Sequence, residues 1–362
     1  MEVKITKRKV KKASMFGVFT SVVAALMALV VSALVMLLVG VNPIYAYWHL
    51  FYGAFGNINN IADTLVKTTP ILIAGIGLSI SFRSNLTSIG AEGQMIMGGI
   101  FATVVGLYIA GISPFIGIPL VIIAGFVGGS IFGAFAGFLK AKFGTSEIIV
   151  TIMLNYIAIF FLSYLLDNPL REAGSFYPQS AGLAKALWLP IMITGSRLHI
   201  GFILAVVLIV AYYILMFRLP LGYKIRAVGY NPKAAEYAGI KVSKNIIIAM
   251  LLSGGLAGIA GSVEVFGIHH RLFNDFSAGY GFDALAVALL GQLHPVGVFI
   301  SALFFGALRV GSNAMQRAVQ VPVSIVYVIQ GLAILFILTD KLLQSYIIKI
   351  SKRSKKSREG EG

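Results

Sequence analysis

Chemistry in this chain has to come from polar side chains embedded in apolar runs. Glu147, Thr151 and Asn155 recur at i, i+4 and i+8 within EIIVTIMLNYIAI, which puts them in one stripe along a helix. Acids in apolar spans are expensive and by default face a cavity or a partner. Two readings of Thr151 and Asn155 stay open: they line a path through the spans, or they glue helices by hydrogen bonding. Glu147, at the end of its span, is expected to play a structural or gating role. A second constellation is SNLTSIGAEGQ over 84–94, with Asn85, Glu92 and Gln94 among turn formers and two glycines. A break there exposes backbone groups, which is tolerable only against protein or a water-filled cavity. It reads as a discontinuous or re-entrant element beside the path, or as a polar turn at the membrane surface. Asp283, between Gly279 and Gly281, is its counterpart, and Gln292 and Gln330 complete the candidate path.

Other chemistries are missing. With no cysteine there is no disulfide, thiolate or Cys-bound zinc. The pair His269–His270 has no carboxylate or further histidine at ligand spacing in the sequence, so it reads as a solvated pair and not a metal site. No G-x-x-x-x-G-K-[ST] motif is present to cradle ATP phosphates, and no nucleophile–base arrangement stands out. No catalytic residue, metal or cofactor is expected in the chain.

The elements that must position these residues are written in the composition. The 362 residues are 58% hydrophobic and 12% charged, about half the charge usual in soluble domains, so the chain is expected to be an all-α polytopic membrane protein. Hydropathy places ten spans at about 16–41, 65–82, 89–110, 115–139, 145–166, 199–217, 245–266, 280–293, 295–312 and 322–339. An aromatic, interfacial segment lies over 42–60, and a long loop over 167–198. The first apolar run reads as an anchor, not a cleaved signal. Residues 1–14 and 343–362 are basic tails, and 15–342 form the membrane domain. Placing both termini inside leaves all but seven of the 29 Lys and Arg on the cytoplasmic side; the exceptions are Lys67, Arg171, Lys185, Arg197, Arg271, Arg309 and Arg317. The net charge of +16 therefore reads as orientation signal and anionic-lipid contact rather than nucleic-acid binding. The glycines at 125, 129, 133 and 137, and at 254, 258 and 261, have the small-xxx-small spacing of close helix packing.

The longest polar interruption, 218–244, contains a short helix. Asn231 is an N-cap, Pro232 a first-turn residue, Lys233, Ala234, Ala235, Glu236, Tyr237 and Ala238 are helix-compatible, and Gly239 supplies the stop. At 1.5 Å per residue the helix is about 10 Å long, too short to cross a membrane. It reads as a docking helix at the cytoplasmic surface.

A faint internal echo links 90–99 to 281–290 and 146–159 to 322–334, in halves of opposite topology. The stretches NLTSIGAEGQMIMGGIFAT (85–103), GTSEIIVTIMLNYIAIFF (144–161) and GYGFDALAVALLGQLHPVG (279–297) resemble permease subunits of ABC importers. The branch is that of simple-sugar, branched-chain amino acid and nucleoside permeases, and the detail is most similar to the nucleoside branch. LGYKIRAVGYNPKAAEYAGI (221–240) resembles that family's coupling segment, without the full E-A-A signature of other importers. The resemblance implies a type II-importer-like permease with two inverted halves and a coupling helix. Its implied partners are a cytoplasmic ATPase that uses the ATP, a second related permease and an extracellular lipoprotein binding protein. The implied cargo is a nucleoside; a sugar permease and, more remotely, an ion-coupled secondary transporter are the alternatives.

Overall fold

The computed structural model describes residues 30–38 and 40–320, with Val328 and Gly331; Gln330 and most of the first and tenth expected spans lie outside the described residues. In chain order the helices are α1 (Pro43–Phe55), α2 (Ile58–Arg83), α3 (Ala91–Tyr108), α4 (Pro114–Phe143), α5 (Glu147–Asp167), α6 (Gly201–Phe217), α7 (Pro220–Tyr230), α8 (Pro232–Tyr237), α9 (Val242–Glu264), α10 (Tyr280–Leu290) and α11 (Pro295–Val319). A short 3₁₀ turn, Lys185–Leu187, lies in the long loop, and a π turn, Val265–His269, continues α9.

Five described helices are long and apolar enough to cross a membrane: α2, α4, α5, α9 with its π turn, and α11. The bent pair α6–α7, broken by 67°, makes a sixth if counted as one span. This is a multi-pass membrane architecture, and the expected boundaries shift in informative ways. Helix α2 begins at Ile58, well before the expected 65, because Asn57 caps it by accepting from the Asn60 N–H at 2.8 Å. The segment expected to be merely interfacial contains the helix α1, whose Tyr45, Trp48, Phe51 and Tyr52 are exposed, as suits an aromatic belt.

The chain divides into two units, residues 1–53 with 311–362, and residues 54–310. The second holds the candidate site. At its centre run α2 and α9, the two spans most enclosed by protein, with α3 and α4 packed on α9. The glycine pattern has a direct structural reading there. A Cβ on Gly129 would sit 2.8 Å from Gly258 Cα, and one on Gly133 3.1 Å from Gly254 Cα, so α4 and α9 meet backbone to backbone.

The loop 168–200 folds down as a cap. Its Ser180 and Leu183 N–H groups donate to the Leu272 and His270 carbonyls at 2.8 and 2.9 Å, and Leu189 N–H to Phe266 at 3.1 Å. Arg271 pairs with Glu172 at 3.2 Å, while Leu183, Leu187 and Leu189 are buried beneath. Apolar burial and pairing of its backbone groups together give this loop an ordered path.

Candidate functional site

Three turns interrupt the helices of the second unit, and the candidate residues gather at them. The first is 84–90, between α2 and α3. Asn85 takes a left-handed backbone (φ 58°) with its N–H on Phe82 O at 3.0 Å, the tight reversal that an Asn tolerates. Leu86 and Ser88 are buried within the turn.

Helix α5 holds this turn in place. Asn155 accepts from Gly93 N–H at 2.9 Å and donates to Ile89 O at 2.9 Å, satisfying both ends of its amide. Thr151 Oγ1 accepts from Ile89 N–H at 3.1 Å and itself donates to Glu147 O at 2.7 Å. Glu147 accepts from Thr87 N–H at 3.3 Å and pairs with Lys140 at 2.9 Å across the Gly144 turn. Gly90 and Gly93 make the approach possible: a Cβ at either would lie within 3 Å of Thr151 or Asn155. The stripe at 147, 151 and 155 thus meets the backbone of 87–93, the glue geometry of the two readings, and Thr151 and Asn155 are both buried. Gln94 is buried beside them, with its Oε1 unpartnered among the described residues.

The second turn, 270–279, precedes α10. Its left-handed residues His270, Asp275, Ala278 and Gly279 fold it back on α3, with Phe276 buried against Gly99. Here the two expected counterparts, Glu92 and Asp283, come together. The Glu92 carboxylate accepts from the Ser277 hydroxyl, from Gly279 N–H at 3.2 Å and from Gly281 N–H at 2.7 Å. Gly281 must be glycine, since a Cβ there would lie 2.5 Å from Glu92 Cα. Asp283 pairs with Arg309 of α11, whose guanidinium also donates to Ala278 O at 2.8 Å and lies 4.4 Å above the Tyr280 ring.

Tyr280 continues into charges the sequence reading passed over. Lys67 Nζ donates to Tyr280 Oη at 2.6 Å and pairs with Glu264 at 3.4 Å, and His269 lies 3.3 Å from the same carboxylate. The isolation expected for His269–His270 is therefore corrected: a carboxylate stands beside His269, supplied one turn earlier by α9. No trio of acid or histidine side chains able to hold a metal occurs among the described residues. Glu264 is an acid at the end of an apolar span, so the rule that selected Glu92 would have found it. Lys67, a cation inside the expected span 65–82, carried the same kind of signal, but its partner 197 residues away could not be read from spacing.

The third turn, 291–294, follows α10. Gln292 and Leu293 are both left-handed (φ 50° and 58°), a costly pair for residues with side chains. Leu293 O receives Arg83 Nη2 at 2.8 Å, Arg83 Nε at 3.1 Å and the Tyr212 hydroxyl at 2.7 Å. Arg83, the last residue of α2, also lies 4.8 Å above the Phe217 ring. One cation thereby ties the ends of α2 and α6 to this turn.

Helix α7 presses on the same place. Gly229 lies so near the end of α2 that a Cβ would stand 2.9 Å from Arg83 C and 3.0 Å from Ser84 C. Helix α7 leads through Asn231 into α8. Asn231 Oδ1 accepts from Ala234 N–H at 3.1 Å, Pro232 occupies the first turn, and Gly239 stops the helix at φ 79°. The sequence-derived helix is present over Pro232–Tyr237, with Ala238 as its C-cap. Ala235 is buried and seats it; Lys233 and Glu236 are exposed, and Tyr230 and Tyr237 project at 89% and 95% exposure.

The sequence pattern of the branched-chain amino acid transport system permease component matches residues 60–338. The chain is 35% identical over 336 residues to the guanosine ABC transporter permease protein NupP of Bacillus subtilis, covering 91% of this chain and 96% of that one. It is 34% identical over 358 residues to the nucleoside ABC transporter permease protein NupB of Lactococcus lactis, covering 94% and 98%. It is 32% identical over 343 residues to the glucose ABC transporter permease protein TsgB13 of Haloferax volcanii, covering 92% and 90%.

Proposed function

Since the chain belongs to the permease-component family of branched-chain amino acid transport systems, we propose that it is the membrane permease subunit of an ATP-driven nucleoside importer. The two relatives named for guanosine and nucleoside transport support that cargo over a sugar. The reading takes the importer to consist of this chain, a second related permease, a cytoplasmic ATPase and an extracellular lipoprotein that delivers the nucleoside. ATP belongs to the ATPase, because this chain has no phosphate-cradling loop.

The observation that carries the mechanism is α8. A capped helix of six residues with a tyrosine projecting at each end presents the kind of aromatic anchors that dominate protein interfaces. Its other side runs through α7 to Gly229 and the end of α2. In this mechanism, closure of the ATPases displaces α8, α7 transmits the displacement to the Arg83–Ser84 junction, and the turns 84–90 and 291–294 respond together. The candidate path residues Asn85, Glu92 and Gln292 sit in or beside the turns that such a movement reaches, and Asp283 lies on α10, the helix that leads into the third turn.

Ion coupling fits the same residues less well. Glu92 is held by three donors, Asp283 by Arg309 and Glu147 by Lys140, and carboxylates engaged in this way are poor carriers of a mobile proton or sodium ion.

The test is co-purification of the ATPase with permease carrying Tyr230→Ala and Tyr237→Ala, or Glu236→Lys. Loss of the ATPase with unchanged membrane insertion is expected. Full association in both variants would show that α8 is not the docking element.

A further inference from the structure

Between α7 and the start of α9, beside the turn that follows α8, lies a pocket of about 390 Å³ lined by Leu221 and Lys224 of α7, Ile240 and Lys241 of the connecting turn, and Lys244 and Ile248 of α9. Three cations share this pocket, and none of them forms an ion pair with any described residue. Its remaining side-chain lining is largely aliphatic. Asn245, buried in the wall, donates to Lys241 O at 2.9 Å and so holds the turn that carries Lys241. The pocket also opens beside the first turn of α9, where the N-cap Lys241 contributes no side-chain hydrogen bond and the helix end favours an anion.

A ligand that satisfies this arrangement needs a phosphate-like anion joined to an apolar part. Inorganic phosphate meets the lysines but leaves Leu221, Ile240 and Ile248 facing water. A phospholipid satisfies both halves. Lys241 and Lys244 stand at the start of a membrane-crossing helix, the depth at which headgroups lie. Lysine suits this role as a compact point charge on a flexible stem.

We infer that this pocket binds the phosphate of an anionic phospholipid, with its glycerol and upper acyl carbons against Leu221, Ile240 and Ile248. The bound lipid bridges α7 to α9 across the base of α8 and fixes how far α8 stands from the membrane. The proposal rests on 218–244 being the cytoplasmic loop. It does not require that α8 dock an ATPase, and binding is measured without that partner.

The experiment is native mass spectrometry of the purified full chain, released from bilayers containing phosphatidylcholine and phosphatidylglycerol. The wild type is expected to retain phosphatidylglycerol preferentially. The variant Lys224→Gln/Lys241→Gln/Lys244→Gln is expected to lose that preference, by roughly fivefold for each lysine beside an anionic headgroup. A second variant, Lys9→Gln/Lys11→Gln/Lys12→Gln, removes equal charge from the basic tail and is expected to retain the lipid as the wild type does. Equal loss in the two variants would reduce the effect to net charge and overturn the proposal. Displacement of the lipid by dissolved inorganic phosphate at comparable concentration would assign the site to a soluble phosphate and overturn it as well. If the pocket variant fails to insert, Leu221→Trp, which fills the apolar floor and keeps every charge, supplies the test: unchanged lipid retention overturns the proposal.

Discussion

Gly229→Ala isolates the proposed transmission route. The added Cβ would overlap the Arg83 carbonyl oxygen and stand 2.9 Å from Arg83 C and 3.0 Å from Ser84 C, where heavy atoms prefer about 3.5–4.0 Å. Helix α7 therefore has to withdraw by about 1–1.5 Å, because its obstacle is backbone and not a flexible side-chain tip. Overpacking of this kind costs about 1–3 kcal/mol. Replacing glycine by alanine inside a helix returns about 1 kcal/mol of helix propensity, so α7 itself is not weakened. The expected result is an intact surface helix displaced from α2. Nucleoside uptake by the complete importer in proteoliposomes should fall about 5- to 140-fold, on the scale of tenfold per 1.4 kcal/mol. ATP hydrolysis and ATPase co-purification should persist, so that more ATP is spent per nucleoside delivered. Gly111→Ala, at a glycine with open space around its Cβ position, is the control and should behave as the wild type. Unchanged uptake in Gly229→Ala, with the ratio of ATP to nucleoside also unchanged, would refute the route through the Arg83–Ser84 junction.

Other perturbations read the remaining contacts. Glu92→Gln keeps the shape but turns an amide N–H toward donors that now face a carboxylate, losing at least one charge-assisted bond of about 1.5–3 kcal/mol. The melting temperature in nanodiscs should drop by several degrees, and an unchanged value would contradict the described geometry. For Asp283 and Arg309, a double-mutant cycle of Asp283→Asn and Arg309→Gln should give a coupling of about 0.5–3 kcal/mol, and strict additivity would mean that the pair contributes no net interaction. Outside the spans, His270 stacks on Trp188 with ring centroids 3.7 Å apart, and burial holds its pKa below the usual histidine range. The neutral ring is the folded form, so its contribution is complete above the unfolded value near 6.5 and is lost as pH falls through the lower folded value. Acidification should loosen the cap and change Trp188 emission below about pH 6.5, and His270→Phe should remove the response. Identical titrations in both proteins would exclude His270 as its source.

What could be read in advance follows how local the causes are. Asn231, Pro232 and Gly239 specify α8 within nine residues, so the helix was legible with its ends. The stripe Glu147–Thr151–Asn155 was legible as a stripe because helical periodicity is local, but its partners are backbone groups about 60 residues earlier. Backbone carries no residue type to recognise, so the choice between path and glue could not be made from spacing. Glu92 and Asp283 paired as motifs, yet the Glu92 clamp depends on left-handed residues in 270–279 that no apolar pattern marks. Arg83 looked like an ordinary end-of-span cation. Its work is done on Leu293, 210 residues away, through a carbonyl oxygen that every residue possesses.

The cap formed by 168–200 has a consequence for how the chain is made. Its anchors, Arg271 and Leu272, lie 99 and 92 residues beyond their partners Glu172 and Ser180. At a synthesis rate of about 5–20 residues per second, that segment waits about 5–20 s after it is made before its partners exist. During that interval its leucines have only the insertion machinery or the lipid surface to cover them. A ribosome stalled between α7 and α9 should therefore leave 168–200 open to protease, and release past residue 273 should close it. The cap is thus a late event of biogenesis, a seal set only after the spans on either side of it have been threaded.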